Sequence, residues 1–168
     1  MSYHEKRTIV IIITELFILA AYCIYTYSKY QSGDLPSGDM KAWAGIMLVF
    51  IGLTIGVTIV VQIIFNIILS VGIAIQEKRT NGMCDDKDVE KTIDAEMVSD
   101  ERDKLIELKS MRLFLIISGI GFVVSLATQV LNYSPAVLLN VLFISFSVGS
   151  LFEGLTQIYF YRRGIKNG

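Results

Sequence analysis

The chain has 168 residues, a net charge of −1, a mean hydropathy of +0.56 and 53% hydrophobic residues. That length suits one domain, and the composition is more apolar than a soluble domain's usual ~45–50% with glycine included. No basic excess marks a nucleic-acid surface. Two cysteines, Cys23 and Cys84, with the single histidine His4 do not make a structural zinc cluster.

The charges are segregated. Residues 76–112 carry eight Lys/Arg and eleven Asp/Glu, with two long apolar runs before them and two after. The first run, residues 8–28, has Glu15 as its only charge and matches a ~30 Å hydrocarbon core at ~1.5 Å per residue. Lys6 and Arg7 precede it as in a signal peptide, but Glu15 interrupts it and no small-x-small site follows, so it reads as a retained helix. Tyr22, Tyr25, Tyr27 and Tyr30 gather at its far end, where rings sit among headgroups. Residues 29–40 form a short loop with Gly33, Pro36 and Gly38.

The second run, residues 42–75, is free of charge for 34 residues. As one helix it is ~51 Å long, so it must tilt, bend or protrude. Gly52 and Gly56 permit a close helix approach, and Trp43 marks the outer end. In the charged segment, Val89, Ile93 and Met97 recur every four residues, an amphipathic pattern suited to a partner contact or a second copy. Its polar face is acidic, which disfavours an anionic lipid surface.

Ser99 reads as an N-cap, followed by Asp100 and Glu101 in a first turn that favours negative charge. One helix is expected from there into the third span, residues 113–131, with Leu105, Leu108 and Met111 on its inner face. Ser118, Gly121, Ser125, Thr128 and Asn132 follow a 3-4-3-4 spacing that predicts a helix-packing seam. Asn132-Tyr133-Ser134-Pro135 is a tight turn, with Pro135 at the first position of a fourth helix that ends near Arg162 and Arg163. This makes the third and fourth spans antiparallel neighbours.

Lysine and arginine placement assigns the sides. Lys6, Arg7, the eight in 76–112, Arg162, Arg163 and Lys166 make 13 on one side, against Lys29 and Lys41 on the other. Both termini and the charged segment are therefore expected in the cytoplasm. The two hairpins share one orientation, which weighs against an inverted repeat.

The most pointed chemical feature is a pair of intramembrane carboxylates at similar depth. Glu15 lies ~12 Å from the cytoplasmic edge and Glu153 ~13 Å. Gln62, Asn66, Ser118 and Gln157 lie at comparable depth as possible partners. An ionised carboxylate at mid-membrane costs at least ~2.5 kcal/mol, so such a pair either takes a proton or cation or serves as hydrogen-bonded glue between helices. Gln129 and Asn140, nearer the outside, read as interhelical hydrogen bonders. Asp100, Glu101, Asp103 and Glu107 form an acidic cluster; pairing with Arg102, Lys104 and Lys109 is favoured over a hard-cation site. Nothing in the chain calls for a cofactor or a metal.

Residues 95–107, Ala-Glu-Met-Val-Ser-Asp-Glu-Arg-Asp-Lys-Leu-Ile-Glu, carry a juxtamembrane acidic-basic signature. With Tyr133-Ser134-Pro135-Ala136-Val137 and Tyr159-Phe160-Tyr161-Arg162-Arg163-Gly164, the C-terminal half resembles small bacterial four-helix membrane proteins. The resemblance implies a bacterial inner-membrane location and carries no activity with it.

The expected fold is one all-α domain over residues 1–168: four transmembrane helices as two same-orientation hairpins, with residues 76–112 as a cytosolic charged segment leading helically into the third. The expected function is a non-enzymatic membrane protein that works by helix association, as a homo-oligomer or accessory subunit in the bilayer. The competing class is a small proton- or cation-coupled transporter or channel using Glu15 and Glu153.

Overall fold

The computed structural model describes residues 3–81 and 100–164. Within them lie four helices and no strand: α1 (Tyr3–Gln31), α2 (Met40–Asn81), α3 (Glu101–Val130) and α4 (Pro135–Arg163). Each contains a stretch long and apolar enough to cross a bilayer. The all-α, four-span expectation holds at that level. The pattern at Val89, Ile93 and Met97 and the Ser99 position lie outside the described residues.

The long second run is resolved in favour of continuity. α2 is a single helix of 42 residues, ~63 Å long, with no break at Gly52 or Gly56. Arg7, near the start of α1, donates to Gln62 at 3.0 Å, so α2 extends well past the beginning of α1.

α3 begins one residue later than the sequence implies. Asp100 is its N-cap: its side chain accepts from Glu101 N at 2.7 Å, and Asp103 reaches back to Asp100 N at 3.1 Å. This reciprocal box satisfies donors that the first helical turn leaves open. At the other end α3 stops at Val130, and Asn132 sits in the turn with φ +61°, a left-handed conformation that Asn tolerates. Asn132 is thus a turn residue rather than the last member of the seam. Pro135 opens α4 as expected.

α4 is the central helix. It packs most extensively on α3, also on α1, and lightly on α2, while α1 packs on α2. The α3–α4 contact runs through the spaced small residues. Ser118, Gly121 and Ser125 are buried, and Gly121 meets Ser145 so closely that an added Cβ would overlap it. On the α4 side, Gly149 lies against Ser118 and Phe114, where a Cβ would come within 3.0–3.1 Å of their side chains.

The same seam overturns one expectation. Leu105, Leu108 and Met111 are 46%, 60% and 42% exposed, while Ile106 and Ser110 are fully buried. The buried pair Ile106 and Ser110, four residues apart, sets the inner face of this part of α3, so the expected face is out of phase with the observed one.

At the end that joins α1 to α2 and α3 to α4, here the turn end, a small apolar cluster closes the bundle. Leu35, Trp43 and Ala136 form it, with Ala42, Ile46 and Leu139 packed around. Trp43 is buried, with its Nε1 donating to Pro36 O at 3.1 Å, so it is an internal wedge rather than a headgroup anchor. In the adjoining loop, Lys29 and Ser32 both donate to Asp34 at 3.1 Å, and the bond from Lys29 above all holds the Asp34 carboxyl below its ordinary range.

Candidate functional site

α1 and α4 touch closely at two levels and part between them. Near the termini, Gly154 sits against Ile12 and Thr8 of α1, where a Cβ would lie 2.6 Å from Ile12 Cγ1. Toward the turn end, the Tyr22 hydroxyl donates to Asn140 at 2.8 Å, and the Tyr22 ring lies 4.2 Å from Phe143 and 5.2 Å from Phe50 of α2. Tyr22 is only 1% exposed, whereas Tyr25, Tyr27 and Tyr30 are 44–66% exposed. The expected headgroup belt therefore fits those three and not Tyr22, which faces α4.

Between these contacts α1, α2 and α4 enclose a partly open chamber of about 470 Å³. Its walls are mostly aliphatic and aromatic, including Phe143 and Phe146, and its polar groups are Glu15, Thr54, Ser147 and Ser150. Among the described residues Glu15 is its only charged lining residue. Ser150 donates to Glu15 Oε1 at 2.7 Å, and among the described residues no hydrogen bond reaches the second carboxylate oxygen. Ser147 and Thr54 spend their protons on their own helices, on Phe143 O at 3.0 Å and Phe50 O at 2.8 Å.

Glu153 stands about one turn from Ser150 on α4, on the termini side. It does not line the chamber, and no hydrogen bond joins it to Glu15, but the two carboxylates are within electrostatic reach of each other. Gln157 donates to Glu153 at 3.4 Å and accepts from Thr8 at 3.1 Å. Beyond them Arg162 donates to the buried carboxylate of Glu5 at 2.8 Å, and His4 lies 3.5 Å from Asp103. A ladder of polar groups thus leads from the termini end up to the floor of the chamber.

The expected residues divide accordingly. Glu15, Glu153 and Gln157 come together along the α1–α4 interface. Gln62 does not join them: it accepts from Arg7, eight residues before Glu15 on α1, while Thr54 and Ile55 are the α2 residues beside Glu15, and Asn66 lies one turn further along α2, half-buried. Ser118 does not join them. It faces Gly149 on the α3 side of α4, and its buried hydroxyl has no hydrogen-bond partner among the described residues. Asn140 bridges α1 and α4 as expected, whereas Gln129 Nε2 is buried without a partner among the described residues. Of the acidic cluster, Asp103 turns to its own cap and to His4 rather than to the neighbouring Lys and Arg.

Two partners were not anticipated. Ser150 is one of three α4 serines with no distinguishing spacing, and Glu5 sits among exposed-looking terminal residues. The signal that finds both is register. With Glu5 opposite Arg162, ten residues along α1 to Glu15 and ten back along α4 reach the turn between Ser150 and Glu153.

No protein-family model, curated protein or solved structure matches this chain.

Proposed function

We propose that the protein is a small proton- or cation-coupled carrier of the bacterial inner membrane, with Glu15 as its binding carboxylate. One observation carries this. A carboxylate with a free oxygen faces a chamber large enough for a ligand, in a part of the chain where an unneeded charge is costly. The glue alternative accounts for the Ser150 bond but not for the space beside it.

In this reading the chain forms two same-orientation hairpins with both termini in the cytoplasm, as the 13-to-2 lysine and arginine split implies. The polar ladder then leads to the cytosol, and the Leu35–Trp43–Ala136 cluster closes the outer side. Glu153 acts as a relay whose charge state is coupled to that of Glu15. The test is proton movement in proteoliposomes with a trapped pH-sensitive dye. Glu15→Gln abolishes it while the thermal transition stays put, and Glu153→Gln slows it. Equal flux in wild type and Glu15→Gln rejects the carrier.

A second reading is an accessory subunit or homo-oligomer, favoured by the wholly unburied span of α2. It requires that deleting residues 89–97 change the oligomer mass in detergent.

A further inference from the structure

The lining of the chamber narrows its ligand class, an inference that rests on the carrier reading. We propose that the chamber binds a hydrophobic organic cation, an amine or quaternary onium with an aromatic or branched apolar body.

Charge is the first reason. Among the described residues Glu15 is the only charged group lining the chamber, one of its oxygens has no hydrogen bond, and the walls are mostly apolar, where a carboxylate requires either a proton or a counter-charge. An anion would be repelled, and a neutral hydrocarbon would leave the carboxylate uncompensated.

A bare metal ion fits poorly. Hard cations take about six to eight oxygens, and the lining offers one carboxylate with three hydroxyls. Those hydroxyls are already oriented toward Glu15 or their own backbone. The chamber's 470 Å³ also falls within the ~300–1,000 Å³ typical of small-molecule pockets. An organic cation satisfies both halves of the site. Its charge meets Glu15, and its apolar body meets Phe143, Phe146 and the aliphatic wall, where aromatic faces attract a desolvated cation.

Glu15 holds one positive charge at a time. Entry of the cation onto a protonated Glu15 releases one proton, and its departure allows one back. Among the described residues, α1 and α2 add no other titratable group to the chamber. α4 adds Glu153 below it, and α3 contributes Glu107, which acts on Glu153. Protons therefore compete with the ligand, and binding weakens as pH falls.

The experiment uses the full chain in detergent, in equilibrium dialysis against radiolabelled tetraphenylphosphonium and its anionic counterpart of the same shape, tetraphenylborate. Wild type binds the phosphonium saturably, one per chain above the empty-micelle background, and does not bind the borate saturably. Glu15→Gln weakens phosphonium binding at least tenfold, and Ser150→Ala by a few fold. Equal binding of the two probes by wild type overturns the proposal, and this comparison stands even if Glu15→Gln fails to fold. Unchanged phosphonium affinity in a folded Glu15→Gln overturns it too. If the phosphonium does not bind but wild-type vesicles still move protons through Glu15, the ligand class is wrong and the carrier survives. If neither occurs, both fall.

Discussion

The two faces of α4 are built on different rules. Toward α3 it offers glycine and serine, and the helices close until Gly121 meets Ser145 and Gly149 meets Ser118. Toward α1 it also closes at Gly154 and Asn140, but between those levels Phe143, Ser147 and Ser150, with Phe146 that also reaches Phe114 of α3, leave the helices apart around a chamber. In lipid, no hydrophobic gain separates a leucine packed on protein from one packed on acyl chain, so close contact must come from small residues. Where large residues line an interface instead, and a carboxylate is placed among them, the chain retains space. One face closes on small residues and the other holds open space beside a carboxylate.

The contrast can be broken most forcefully at the seam. Gly121→Ala drives a Cβ into Ser145 and lowers stability by ~1–3 kcal/mol in a denaturant titration. Gly119→Ala, with nothing within 4 Å, is neutral or gains a few tenths of a kcal/mol, up to ~1 from helix propensity. If the two variants behave alike, the seam is not tight. At the foot of the α1–α4 interface, Arg162→Ala removes the guanidinium from buried Glu5 and costs ~1–2 kcal/mol, discounted because Arg162 is itself 62% exposed.

Tyr22→Phe deletes the bond to Asn140 at the other end of the chamber and costs ~0.6–1.7 kcal/mol in the same titration. Gly56→Leu, on the open face of α2, is neutral or gains up to ~1 kcal/mol from helix propensity and leaves the detergent oligomer mass unchanged. A shifted mass favours the accessory-subunit alternative. The smallest effect belongs to Asp34. Its carboxyl is held below the ordinary 3.8, so its small contribution is present above that pH and is lost as pH falls through the lower folded value. Asp34→Asn removes that acid dependence and nothing at neutral pH beyond the bond from Lys29.

The four long apolar helices, the seam and the similar level of the two carboxylates along α1 and α4 were legible because each depends on local chain pattern: apolar run length, 3-4 spacing, and residue counts from a charged end. Leu105, Leu108 and Met111 misled because apolar spacing alone does not fix the phase at which α3 packs, and the buried face runs through Ile106 and Ser110 instead. Tyr22 could not be told from Tyr25, Tyr27 and Tyr30, since only the phase of α4 decides which ring turns inward. Asn132 continued a spacing that backbone geometry ends two residues earlier. Ser150 was hidden because its significance lies in register with a helix some 135 residues away. That register appears once Glu5 rather than Arg7 is set opposite Arg162.

Trp43 has a practical consequence. It is the only tryptophan in the chain, and its indole is buried beside Leu139, which also lines the chamber. Its fluorescence therefore arises from a single site and needs no added dye. A blue-shifted emission marks the wedge in place, and a red shift on opening marks its entry into water, so the protein carries its own optical gauge of whether the turn end is shut.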